Sequence, residues 1–253
     1  MRLFLHELRA QQLLFWRNRE AAFFTFFFPV ILLVLLGSVY GDEPIEGVQA
    51  ATYLVAGLLG YGVAAAAFAS LAITLVVRRE AGLLKRVRGT PLSPALYLGA
   101  VIGSTVVVVA LQVVVQVLIG RYVLDAHWPE SPLSFAVVTL IGAAAFAALG
   151  LAVSALVRTA EGSSAVVNAI YLPMAFISGA FFPTRELPGF LEALAEVLPL
   201  THLLELIRAT FVEGDPLATS PEALAALVAW GLAGLLFAVR MFRWEPREGM
   251  GRA

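Results

Sequence analysis

The residues able to do chemistry are few and concentrated in one stretch. Between positions 78 and 88 stand Arg78, Arg79, Lys85, Arg86 and Arg88, with a single carboxylate, Glu80, set around Leu83, Leu84 and Val87. A charged segment with an apolar ridge can dock in a groove on a partner protein. The same run would also serve as a plain topology-setting basic loop. Lys85 is the only lysine, and no G-x-x-x-x-G-K-[ST] contains it, so the chain has no P-loop with which to bind and hydrolyse ATP. His6-Glu7 lacks the second histidine of an H-E-x-x-H helix, and His6, His127 and His202 lie in three separate segments, as structural or interfacial histidines do. With no cysteine there is no thiolate, disulfide or cysteine–metal chemistry. The chain is therefore read as non-enzymatic, with no cofactor or metal of its own and no nucleic-acid partner.

The elements that must carry these residues are membrane helices. Of the 253 residues, 60% are apolar and 14% charged, against roughly 45–50% and about 25% in soluble domains. Six stretches lack Asp, Glu, Lys and Arg: Ala21–Gly41, Gly47–Val77, Thr90–Gly120, Ser131–Val157, Gly162–Thr184 and Ala223–Val239. Each reaches or approaches the roughly 20 residues needed to cross about 30 Å of hydrocarbon. The second is too long for one straight span, with Gly57, Gly60 and Gly62 as candidate bend points. The last is the shortest, and Trp244 beyond it suits the interface. Charges run through the first twenty residues, and the apolar run after them is too long for a signal peptide, so it reads as a retained first helix.

Lys and Arg orient the chain. With the N-terminus in the cytoplasm, 14 of the 17 fall in cytoplasmic segments; the exceptions are Arg121, Arg185 and Arg208. This satisfies the positive-inside rule, and six crossings return the C-terminus, with Arg240, Arg243, Arg247 and Arg252, to the same side. Residues 1–20 read as an amphipathic helix on the cytoplasmic interface. Met1, Phe4, Leu5, Leu8, Phe15 and Trp16 share an arc that Gln12 interrupts, opposite Arg2, His6, Arg9 and Arg17. Near the other end, Leu187–Leu200 and His202–Val212 are too short to span. The first sets Phe190, Leu191, Leu194, Val197 and Leu198 against Glu192 and Glu196, which predicts a re-entrant helix pair over 185–214 rather than a surface loop.

The predicted spans hold no ionisable group apart from tyrosine, which argues against ion-coupled carriers and intramembrane carboxylate hydrolases. Thr25, Thr74, Ser104, Gln112, Gln116, Ser154, Asn168 and Ser178 are the polar residues at depth, suited mainly to helix–helix hydrogen bonds. Ala144, Ala148 and Ala152 form a small-residue ridge for close helix contact, within the chain or between chains.

Four patches resemble the membrane subunits of ABC-2 type transporters. They are the phenylalanine-rich first span with Phe28-Pro29-Val30 and Leu36-Gly37-Ser38-Val39-Tyr40-Gly41; the loop Arg79–Pro94; Ile177-Ser178-Gly179-Ala180-Phe181-Phe182-Pro183; and Leu198-Pro199-Leu200-Thr201-His202 with Arg208. The resemblance covers nearly the whole chain. Arg17-Asn18-Arg19 departs from it, since many members have an aspartate and a proline there. The resemblance implies one polytopic, all-α permease domain over 1–253 in the cell membrane, a dimer of this chain, and two copies of an ABC ATP-binding subunit that hold ATP and Mg. It implies export of a drug, lipid or glycan-like amphiphile. It further implies a coupling helix within 78–94, using Arg78, Arg79, Glu80, Leu83, Leu84, Lys85, Arg86 and Arg88. A path would be lined from the first, second and fifth spans, with Phe23, Phe24, Phe27, Tyr53, Tyr61, Asn168 and Tyr171 as candidates suited to apolar cargo. The alternative is a non-transporting scaffold or receptor that recruits a cytoplasmic partner through the basic loop.

Overall fold

The computed structural model describes residues 2–40, 44, 45, 47–90, 92–215 and 219–241. Met1, Pro91, Trp244, Arg243, Arg247 and Arg252 lie outside them. The described residues are helical throughout, apart from turns and one isolated bridge between Ile45 and Val48.

Helix α1 (Arg2–Arg17) is followed at once by α2 (Arg19–Tyr40). The break falls at Asn18, whose Oδ1 accepts a hydrogen bond from Ala21 N at 3.1 Å. Asparagine is a favoured residue at such a helix start because it satisfies an otherwise orphaned amide. One face of α1 packs on the N-terminal half of α6 (Pro94–Leu124). Phe4 and Leu8 approach Gly103, and Gln12 Nε2 donates to Ser104 O at 2.8 Å and to Ser104 Oγ at 3.0 Å.

The second apolar run forms a single helix, Ala50–Glu80. Its 31 residues extend about 46 Å at 1.5 Å each, well beyond a bilayer core. It comprises α3 (Ala50–Ala64), a π segment (Ala65–Ser70) and α4 (Leu71–Glu80). The departure from α geometry therefore lies after Gly57, Gly60 and Gly62, not at them. Those glycines allow close approach instead. A Cβ at Gly57 would lie 2.1 Å from Ala180 O, at Gly60 2.5 Å from Leu204 Cδ2, and at Gly62 2.0 Å from Gln112 Nε2.

Next come α5 (Leu83–Arg88), α6, α7 (Pro132–Leu156), α8 (Ala160–Ile177), α9 (Gly189–Ala195), α10 (Pro199–Arg208) and α11 (Pro221–Met241). Among the described residues, five helices are long and apolar enough to cross a membrane: α2, the α3–α4 helix, α6, α7 and α11. Helix α8 has 18 residues, with Glu161, Ser163, Ser164 and Asn168 in its first half. It ends in a Schellman motif, where Ala180 N bonds Ala175 O and Gly179 N bonds Phe176 O around Gly179 at φ 81°. Glycine takes this left-handed position without a Cβ clash.

Helix α7 is held on two sides through small residues. Gly231 and Gly234 of α11 let that helix approach Ala145, Ala148 and Leu149, and Gly150 faces the carbonyls of Ala67 and Phe68 in the π segment. The predicted alanine ridge is thus partly used within the chain: Ala148 and Ala152 are buried, while Ala144 is exposed. Helix α10 is buried along Leu200, Leu203, Leu204, Leu206 and Ile207. Leu204 meets Gly60 and Leu203 meets Gly142. Each glycine lies ten positions inside its helix, which is about 15 Å along the axis. The apolar side of α9 faces outward instead, with Phe190, Leu194 and Val197 exposed. Trp230 Nε1 of α11 ties down the α9–α10 turn by donating to Val197 O at 3.0 Å.

Candidate functional site

The basic loop begins where α4 ends. Gly82, at φ 71°, turns the chain into the six-residue α5. Ser93 then starts α6 by accepting from Leu96 N at 3.3 Å, with Pro94 in the first turn, where the missing proline N–H costs nothing. The expected apolar ridge of α5 divides. Leu84 is fully buried and Val87 half-buried, whereas Leu83, Lys85 and Arg86 face outward. The side chain of Arg88 lies outside the described residues.

Arg78, Arg79 and Glu80 reach sideways within the chain. The Arg79 guanidinium is buried and donates through Nη1 to Ser154 O at 2.9 Å and through Nη2 to Val157 O at 2.5 Å. These carbonyls belong to the C-terminal turn of α7, the negative end of its dipole, which favours a cation. Glu80 Oε2 accepts from Ala160 N at the start of α8, the positive end of that helix. Thr159 Oγ1 completes the cap by accepting from Gly162 N at 3.2 Å. One Arg-Glu pair therefore fastens the end of α4 to the junction between α7 and α8. Arg78 Nη1 donates to Gln11 Oε1 at 2.6 Å, and Gln11 Nε2 to Glu7 Oε1 at 2.7 Å, which links α4 to α1.

The candidate path residues form two separate groups. Phe23, Phe24 and Phe27 are exposed on α2, with the Phe23 and Phe27 rings stacked at 5.1 Å. Tyr53, Tyr61 and Tyr171 are buried. Tyr61 and Tyr171 lie 5.3 Å apart, Phe181 lies 5.1 Å from Tyr61, and Tyr171 Oη donates to Tyr61 O at 3.1 Å. Asn168 is half-buried, one turn before Tyr171.

Two arrangements went unassigned at the sequence level. Arg208 of α10 stacks over Tyr53, 4.5 Å from the ring centroid, and its Nη2 donates to Tyr53 Oη at 3.0 Å and Gly179 O at 2.5 Å. It joins α10, α3 and the end of α8. An arginine in the otherwise cation-poor segment was the available signal. The second is Gln12 on Ser104, which the break in the apolar arc of α1 marked. Of the polar residues at depth, Gln116 makes an interhelical bond, with Nε2 donating to Leu58 O at 3.3 Å.

Long apolar helices packed through glycines, a short charged helix at one end and an amphipathic helix beside it make this a multi-pass, all-helical membrane protein. Comparison of the sequence with known proteins gives the family: residues 2–212 match the ABC-2 type transporter domain, and the chain belongs to that family. Among its relatives are nodulation protein J of Rhizobium leguminosarum bv. viciae, 37% identical over 36% of this chain, and that of Rhizobium meliloti (strain 1021), 30% identical over 46%. The matched stretches cover 35% and 44% of those proteins' own length. The permease YvfS of Bacillus subtilis (strain 168) is 27% identical over 76% of this chain and 80% of its own.

Proposed function

We propose that this chain is the membrane subunit of an ATP-driven exporter, energised by a separate ABC ATP-binding subunit that docks on α5. The observation that carries this is the basic end of the bundle. Leu83, Lys85 and Arg86 stand exposed at the foot of the 31-residue α3–α4 helix, while Arg79 and Glu80 tie that foot to α7 and α8. A push on α5 therefore reaches the α3–α4 helix, α7 and α8 at once. In this reading Arg79, Glu80 and Leu84 transmit the movement, and Leu83, Lys85 and Arg86 receive it.

The chain pairs with a second copy and with two ATP-binding subunits, which hold ATP and Mg. Both termini face the cytoplasm, in keeping with the arginine distribution, and α1 lies on that interface. Helix α8 makes the sixth crossing, shortened to about 27 Å, and α9–α10 form a re-entrant pair on the outer side. The depth that Leu203 and Leu204 reach beside α7 and α3 supports that placement. The exposed phenylalanines of α2 and the half-buried Asn168 suit a hydrophobic or amphipathic cargo, moved outward from the cytoplasm or inner leaflet.

The test is purification of the tagged chain from its native membranes in mild detergent. A P-loop ATPase should accompany it at about equal abundance. Leu83→Asp with Arg86→Glu should abolish that association while leaving the melting temperature of the permease unchanged, because both side chains are exposed. Association that survives the double variant would refute docking on α5. A parent chain that repeatedly purifies alone would favour the scaffold instead.

A further inference from the structure

A cavity of about 80 Å³, lined by both polar and apolar side chains, lies beneath α1, where α1, α2, α6 and the π segment with α4 meet. Each wall is a helical stripe. Ser70, Thr74 and Arg78 recur every four residues on one wall, Thr25 follows Ala21 on the second, Ser104 and Thr105 line the third, and Asn18 stands where α1 passes into α2. Residues three or four apart share a helix face, so these polar groups converge by sequence design. At about 10–15 Å³ for each water, the cavity has room for five to eight water-sized positions.

Its one cation is incompletely paired. Arg78 gives a hydrogen bond to Gln11 Oε1 and forms no ion pair among the described residues. Glu7 is reached only through the Gln11 amide. The neighbouring Arg79, by contrast, sends both terminal nitrogens to backbone carbonyls. A guanidinium with unused donors in a partly buried cavity that also presents hydroxyls calls for an anion with several acceptor oxygens. The exposed Arg17 and Arg19 flank Asn18 and add positive charge near one edge. Leu14 also lines the cavity, is itself exposed, and lies beside the exposed Leu13 and Trp16. The site thus adjoins an apolar surface suited to acyl chains. Basic pockets between membrane helices bind anionic lipid headgroups in this manner.

We propose that this cavity is a phosphoryl-anion site, with Arg78 as its cation and the hydroxyls of Thr25, Ser70, Thr74 and Ser104 and the Asn18 amide as neutral partners. The phosphate of an anionic phospholipid, in the leaflet on which α1 lies, is its occupant. Bound there, the headgroup would brace α1 against α4 directly above the basic loop.

The test is thermal unfolding of the delipidated full-length chain in non-ionic detergent, with added phosphatidylglycerol, phosphatidylcholine or inorganic phosphate, together with native mass spectrometry of bound lipid. Phosphatidylglycerol should raise the melting temperature, phosphatidylcholine should not, and Arg78→Gln should remove the shift. A shift with inorganic phosphate that equals that with phosphatidylglycerol and is lost in Arg78→Gln would assign the site to free phosphate and reject the lipid. Thr74→Val leaves the Arg78–Gln11 bond in place and should weaken phosphatidylglycerol binding about threefold. It decides the matter if Arg78→Gln does not fold. No shift in the parent chain with either probe, or undiminished binding in a folded variant, would overturn the proposal.

Discussion

Replacing Arg79 by methionine separates its structural role from direct contact with a partner. Methionine keeps most of the aliphatic bulk and removes the guanidinium. Two charge-assisted bonds to the end of α7 are lost, each worth about 1.5–3 kcal/mol. The carbonyls of Ser154 and Val157 lie in residues only 1% and 5% exposed, so water replaces the donors poorly. Arg158 and Thr159 just beyond are exposed, so the junction can relax, and the lower part of the range applies. The expected loss is about 3 kcal/mol. Arg78→Met, at a half-buried residue with one protein acceptor, should cost about 1 kcal/mol. Reversible unfolding in mixed micelles measures both. The chain has no native cysteine, so a single cysteine at position 158 reports directly on the junction and should label faster once Arg79 is gone. An Arg79→Met chain that unfolds within about 0.5 kcal/mol of the parent, with unchanged labelling, would refute the claim that this arginine fastens α4 to α7.

Two further substitutions test the packing. Gly57→Ala drives a Cβ toward Ala180 O and should cost about 1–3 kcal/mol as overpacking, whereas Gly189→Ala meets nothing within 4 Å and should leave the melting curve in place. Arg208→Met removes a stacked cation and two hydrogen bonds and should destabilise the packing of α10 on α3 and α8 by about 2–3 kcal/mol, seen as faster proteolysis between α8 and α10. Arg208→Lys should recover only part of this, because an ammonium lacks the planar fork. Full recovery by lysine would point to charge alone.

The helices were legible because apolar length and charge-free runs are set by the solvent that the chain must match. What escaped was pairwise. Glycines 57, 60 and 62 announce a special requirement, but a bend and a close neighbour call for the same residue. Only the position of Ala180, Leu204 and Gln112 tells the two apart. Arg79 and Glu80 read as part of a partner-docking or topology-setting loop, because the junction they hold is about 75 residues downstream. The apolar side of α9 was correctly periodic, yet periodicity does not say whether that side meets protein or lipid, and here it faces outward. Arg208 was read for topology and as part of a family patch, but not for its packing on Tyr53, which joins three elements.

The π segment at Ala65–Ser70 acts as a phase setting along the α3–α4 helix. Each residue in a helix advances the side-chain direction by about 100°, and a π turn accommodates residues that a regular α ladder would not. Restoring α geometry there without removing a residue would turn everything beyond it by about that angle relative to everything before it. Tyr61 would still face Tyr171, but Arg79 and Glu80 would swing away from the α7–α8 junction. The wide turn, seated against Gly150, thus lets one continuous rod present its aromatic end and its basic end to different neighbours, with the angle between them written in the number of residues.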